Sequence, residues 1–255
     1  MFKKIVLLCI CLLLANSNNV ETQSNFPSDM ESENVIVAVI DSEINTEHEF
    51  LKERCLEGKE FLLNEKSKVD HGTAVAGAVV KYSQITANKL NKKSSVTIVP
   101  VEINVEDIQT DGGVLLSQAI EYAIDRGAKV INMSFSSAVP NMHVYEKIRY
   151  GIEKEVIFVS AAGNTGLDTY SFPAAYEGVI SVGSCYMENG KYYKSNFSNA
   201  NNDVALLVEG EKILLPDKVN YSEKTGTSYS AGALSGILGE LISRTTLMIP
   251  PTPEH

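Results

Sequence analysis

Five short apolar runs, at residues 35–40, 96–103, 129–135, 156–161 and 179–183, constrain this chain more than any other feature. Each is nearly continuous. A strand with one wet face alternates apolar with polar side chains, so these runs predict strands covered on both faces. Helical patterns lie between them, at 74–82, 115–126, 143–154 and 229–241. In the second, Leu116, Ala119, Ile120, Ala123 and Ile124 follow i, i+3, i+4 spacing, and Gly127 supplies a C-terminal stop. Alternation of this kind predicts an α/β fold, a mostly parallel sheet with helices on both faces. Residues 191–215 change to an alternating, hairpin-like pattern and predict a small antiparallel edge. With 255 residues, 44% hydrophobic and 21% charged, the chain is expected to form one soluble domain over 35–245.

The first residues read differently. Lys3 and Lys4 precede an apolar run from Ile5 to Ala15, and Ala15-Asn16-Ser17 offers small residues for cleavage. Eleven residues reach about 16 Å as a helix, short of a hydrocarbon core of ~30 Å. Residues 1–17 are therefore expected to be a signal peptide, leaving a secreted protein without a stable membrane anchor. Residues 18–34 read as a flexible polar leader and the Pro-rich 246–255 as an exposed tail. The net charge of −10 argues against nucleic acid or an anionic membrane as partner. Losing two lysines with the signal leaves 20 basic against 32 acidic side chains, a charge of −12, compatible with cationic peptides. Cys9 and Cys11 leave with that segment. Cys55 and Cys185 remain, and the sequence leaves open whether they pair or stay as two buried thiols.

In open parallel sheets, functional groups collect at the carboxyl ends of the strands. Asp41 ends the first apolar run, Ser134 and Ser136 fall at the end of the third, and Asn164 follows the fourth. His71 and Ser228 each open a helical pattern. Hydrolysing an amide needs a nucleophile, a base, a group to orient the base, and donors for the developing oxyanion. Ser228 at a helix start, among small neighbours, suits the nucleophile. Taken singly, each residue has an ordinary structural reading: Ser228 as a helix cap, Asp41 as a turn residue, His71 as a structural imidazole, Asn164 as a turn former between glycines. Their combination is what carries chemistry. No phosphate-cradling loop, zinc-like Cys/His spacing or cofactor fingerprint is present.

The segments Val37-Ala38-Val39-Ile40-Asp41-Ser42, His71-Gly72-Thr73-Ala74-Val75-Ala76-Gly77, Val130-Ile131-Asn132-Met133-Ser134, Ala161-Ala162-Gly163-Asn164 and Gly226-Thr227-Ser228 together resemble the subtilisin-like serine protease family, in that family's Asp, His, Ser order. His48 stands where many members carry a histidine soon after the aspartate. The resemblance implies a subtilisin-like fold and a serine endopeptidase acting on peptides or proteins. It implies Asp41, His71 and Ser228 as the catalytic triad and Asn164 as oxyanion donor, with Ser134, Gly163 and Asp168 near the substrate. Asp168, the acid in the stretch after Asn164, is expected either to favour a basic residue before the cut or to cap a surface turn. Three features depart from the family pattern. Glu43 stands where glycine is usual, Gly232 and Ala233 stand where proline and often histidine are usual, and about 17 residues separate the expected cleavage site from the first strand, too few for a folding-assistant propeptide. Compact relatives include peptidases that trim the leaders of lantibiotics, a role that size and export fit. Alternatives are a broad scavenging protease or a catalytically silent peptide binder. Many relatives hold structural calcium, but 81–95 lacks an acidic, glycine-rich loop, so no metal ligands and no cofactor are assigned.

Overall fold

A computed structural model describes residues 34–63 and 70–245. The expected signal at 1–17, nearly all of the leader at 18–34 and the tail at 246–255 lie outside them. Among the described residues, β1 (Val35–Asp41), β3 (Val96–Ile103), β4 (Val130–Met133), β5 (Ile157–Ala161) and β6 (Val179–Glu188) are the five expected strands. With the short β2 (Lys59–Phe61), β7 (Lys191–Lys194) and β8 (Val204–Glu209) they make one sheet in the order β2-β3-β1-β4-β5-β6-β7, with β8 also on β6. Every pairing in it is parallel except β6 with β7.

The near-continuous apolar runs follow from burial on both faces. Along β1, Val37 and Val39 join one core cluster while Ala38 and Ile40 join the other, as a two-residue period requires. The first cluster is closed by α1 (His71–Lys89) and α5 (Thr227–Thr245), with Val75, Val79, Leu234 and Leu238 fully or nearly fully buried. The second is closed by α3 (Val114–Asp125) and α4 (Met142–Glu153) through Ile120 and Ile148, after the one-and-a-half-turn α2 (Val105–Thr110). α1 and α5 approach closely because their facing residues are small. A Cβ on Gly232 would lie 3.0 Å from the Val75 carbonyl oxygen, and one on Gly236 would lie 2.2 Å from that of Val79. The glycine at 232 therefore serves helix packing.

Residues 191–215 hold the antiparallel strand β7 and the start of a second antiparallel element, whereas β8 between them runs parallel to β6. The second antiparallel element is a separate hairpin of β9 (Ile213–Pro216) and β10 (Tyr221–Lys224), which leads into α5. Chain direction across the sheet reverses around β1: β3 flanks it on one side and β4 on the other. A crevice at the carboxyl end of β1 is the consequence. Asp41 pairs with Glu102 and Ile40 with Met133, so Asp41 and Ser134 leave the sheet at one level. Cys55 and Cys185 are free thiols.

Candidate active site

Asp41 is buried at the end of β1. Its Oδ1 accepts from the Ser42 amide at 2.8 Å and from His71 Nδ1 at 2.7 Å. That contact depends on how tightly α1 begins. The Gly72 amide donates to Ser42 Oγ at 3.1 Å, and a Cβ on Gly72 would lie 2.4 Å from the Ser42 carbonyl oxygen. Only glycine lets the helix start so near the loop after Asp41. Burial pulls the His71 pKa down, but the charge and hydrogen bond of Asp41, aided by Asp70, outweigh both burial and the opposing charge of Lys224, so the net shift is upward. With Nδ1–H given to Asp41, Nε2 is the nitrogen left for chemistry.

Ser228 lies in the first turn of α5, buried, and its hydroxyl donates to the Ser134 carbonyl at 3.2 Å. Beside it, Asn164 Oδ1 accepts from the Thr227 amide and hydroxyl, both at 2.9 Å. This fixes the amide with Nδ2 as the unengaged donor. A Cβ on Gly226 would lie 3.6 Å from that Nδ2 and 3.6 Å from the Tyr229 ring, which places Asn164, Gly226 and Tyr229 around one point. The Tyr229 ring in turn sits 5.6 Å from the His71 ring. Gly163 has φ +107°, a conformation that strains any other residue, and a Cβ there would come within 2.5 Å of Asn199 Nδ2. Its amide donates to Thr227 Oγ1 at 3.3 Å, so the Gly163-Asn164 turn is tied to the start of α5.

A carboxylate-oriented imidazole, a serine at a helix N-terminus and an amide donor beside it are the parts that acyl transfer requires. Neither thiol competes as nucleophile. Burial, with Glu47 nearby, pushes Cys55 up to about 12, and burial with Glu209 and Glu211 pushes Cys185 up to about 11. Residues 32–252 match the Subtilase family.

The chain belongs to the Subtilase family. It is 33% identical over 230 residues to the major intracellular serine protease of Bacillus subtilis (strain 168), covering 82% of this chain and 68% of that one. The self-cleaved protease domain of PatA shares the fold at a TM-score of 0.67 and 21% identity, covering 86% of this chain and 84% of that domain. A lanthipeptide protease shares it at 0.67 and 23%, covering 86% and 76%. The protein is thus a subtilisin-like serine endopeptidase.

Placed on this subtilase, the remaining site residues separate into groups. The Ser134 hydroxyl turns inward: it accepts from Asn132 Nδ2 at 2.9 Å and donates to the Ser228 carbonyl at 3.0 Å. Asp168 stands exposed on the loop after Asn164. The segment from Phe135 to Asn141 lines an apolar cavity of about 420 Å³ with Leu116, Val144, Phe172 and Tyr176. A more polar cleft of about 830 Å³ beside Asp41 and His71 is lined by Glu43, Asn45, Lys59, Asp70, Glu102 and Lys218. Glu43 keeps negative φ, so the loop beyond Asp41 does not use the conformation that glycine would permit. Buried His48 engages both ring nitrogens, Nε2 with the Asn220 carbonyl at 2.9 Å and Nδ1 accepting from the Phe50 amide at 3.1 Å, and so pins the β9–β10 hairpin. Sequence reasoning missed Thr227, Tyr229 and Asn199. Thr227 and Tyr229 flank Ser228 and carried a positional signal, whereas Asn199 carried none. Among the described residues, no group of three His, Cys, Asp or Glu side chains is arranged to hold a metal ion, and no helix is long and apolar enough to cross a membrane.

Proposed function

We propose that this endopeptidase cleaves peptide bonds through an acyl-enzyme in which Ser228 is nucleophile, His71 base and acid, and Asp41 the orienting carboxylate. The observation that carries this reading is the 2.7 Å contact of His71 Nδ1 with buried Asp41, on the same crevice as the Ser228 helix start. The Ser228 hydroxyl leaves the Ser134 carbonyl, passes its proton to His71 Nε2 and attacks the scissile carbonyl carbon. The oxyanion is held by Asn164 Nδ2 and the Ser228 amide, aided by the positive end of α5. His71 then gives the proton to the amine as the C–N bond breaks; water, deprotonated by the same imidazole, attacks the acyl carbon, the bond to Ser228 Oγ breaks, and His71 returns the proton to Ser228 as the acid product leaves. A fluorophosphonate probe and a peptide assay test this. Labelling and turnover are expected in the parent and lost in Ser228→Ala and His71→Ala; turnover by folded Ser228→Ala would refute the assignment, and an unlabelled parent would favour a silent peptide binder.

The enzyme is further proposed to be exported and narrow in specificity. Export rests on the basic start, the short apolar run and Ala15-Asn16-Ser17. N-terminal sequencing of the secreted protein should begin near Asn18, and an active enzyme retaining Met1 would refute it. Narrow cleavage is supported by the apolar cavity beside Phe135, which suits one bulky apolar side chain of a substrate such as a leader-bearing peptide. Peptide-library profiling is the test, and indiscriminate digestion of casein would favour the scavenging alternative.

A further inference from the structure

Between β4 and α5 runs a buried line of polar side chains that the triad does not include. Ser235 Oγ donates to Asn132 Oδ1 at 3.0 Å, Asn132 Nδ2 donates to Ser134 Oγ at 2.9 Å, and Ser134 Oγ donates to the Ser228 carbonyl at 3.0 Å. Ser235 and Asn132 are fully buried. The geometry follows from two periods. Asn132 and Ser134 are two residues apart along β4 and its exit, so both side chains point to one face of the sheet. Ser228 and Ser235 are seven residues apart on α5, about two turns, and so share the helix face turned toward that sheet.

The direction of every bond in the line is set at its end. The Ser228 carbonyl can only accept, so the Ser134 hydroxyl must donate to it. The one proton of Ser134 is then spent, and Asn132 must offer its NH₂ rather than its carbonyl. That leaves the Asn132 carbonyl facing Ser235, whose hydroxyl must donate. The four groups are polarised head to tail, an arrangement in which each bond strengthens the next. Polar side chains without exposure are costly unless fully bonded, and an interior needing only stability would hold apolar residues here. This line ends on the backbone of the nucleophile itself.

Resting on the triad reading above, we infer that Asn132 and Ser235 are positioning residues for Ser228. They act through Ser134 to hold the first turn of α5, and with it the Ser228 amide and Cβ, at a fixed place relative to β4. The Ser228 hydroxyl returns a bond to the Ser134 carbonyl, so the two serines are doubly linked. Loosening Ser134 therefore frees both the backbone and the resting hydroxyl of the nucleophile.

The test uses the full chain with Asn132→Ala, Ser134→Ala, Ser235→Ala and the Asn132→Ala/Ser134→Ala double variant. It measures kcat and KM on one peptide, the rate of fluorophosphonate labelling, and Tm. Misplacement of a reacting group by a fraction of an ångström is expected to lower kcat and labelling about tenfold or more in Asn132→Ala and about threefold in Ser235→Ala, with KM within twofold. The double variant should be no worse than the worse single one, because both cut the same line. Folded Asn132→Ala with unchanged kcat overturns the inference, as do losses that multiply in the double variant. If Asn132→Ala does not fold, Ser235→Ala decides, since alanine favours the helix, and unchanged kcat there overturns it equally. Ser228→Ala keeps the two readings apart. Activity in that variant refutes the triad, whereas an inactive Ser228→Ala beside a fully active Asn132→Ala refutes only the positioning line.

Discussion

Replacing Gly72 by alanine sets two effects against each other, and the structure decides which wins. Alanine in a helix is favoured over glycine by about 0.8–1 kcal/mol, so propensity alone predicts a slightly more stable enzyme. The new Cβ, however, would stand 2.4 Å from the Ser42 carbonyl oxygen, 2.8 Å from Ile44 Cγ1 and 2.9 Å from the Glu43 carbonyl oxygen. Two of these are backbone atoms that no rotamer change can move. Restoring ordinary contact at about 3.4 Å requires a displacement of about 1 Å between the start of α1 and the loop after Asp41. Overpacking of this kind costs about 1–3 kcal/mol, so the net loss of stability is about 0–2 kcal/mol. In a domain of this size each kcal/mol is worth about 2–4 °C in Tm. Catalysis suffers far more, because the same displacement stretches the 2.7 Å contact between His71 and Asp41, and a misplacement of about 1 Å costs about 10²-fold in rate. Measuring kcat, KM and Tm on Gly72→Ala should show kcat down about 100-fold with Tm lowered by about 0–8 °C. A kcat/KM within twofold of the parent would refute the argument that glycine is needed there to seat the imidazole.

Removing the Asn164 side chain as Asn164→Ala should lower kcat by about 10²–10³-fold with little change in KM, the range for losing one oxyanion donor; an unchanged rate would move that role elsewhere. His71 must be neutral to act as base, so activity falls as pH drops through its pKa. Lys224 opposes the protonated imidazole and Asp70 favours it, so Lys224→Gln should move the acid limb of kcat/KM to higher pH and Asp70→Asn should move it lower, as read from a pH–rate profile. Asp168 is exposed, and an exposed ion pair is worth about 0–1 kcal/mol, so Asp168→Ala should change the Arg-over-Leu preference before the cut by no more than about fivefold in matched peptides. A larger change would place Asp168 in a desolvated pocket.

What was legible in the sequence and what was not divide along a physical line. The strands at 35–40 and 96–103 were readable because a parallel strand buried on both faces must be apolar at nearly every position, and no other element demands that over so short a run. The helix expected at 74–82 extends to Lys89 because Ser83, Thr86 and Ala87 are buried with polar or small side chains that leave no apolar signature. The alternation at 204–209 marks a half-buried strand without stating its direction. Edge strands alternate whether they run parallel or antiparallel, which is why β8 paired with β6 in the parallel sense inside a stretch read as antiparallel. At the site, Asp41, His71, Asn164 and Ser228 could be located because each stands at a strand end or helix start, places that a one-dimensional pattern fixes. The direction of a side chain is not fixed that way. Ser134 is expected near the substrate, and its hydroxyl lies in a buried line that includes Asn132 and Ser235, 103 residues apart in the chain. Either would look like an ordinary polar residue in a strand or helix until β4 and α5 are brought together. The chemistry proposed for this enzyme therefore sits in short motifs, while the positioning proposed for Ser228 rests on contacts between segments that meet only in the folded chain.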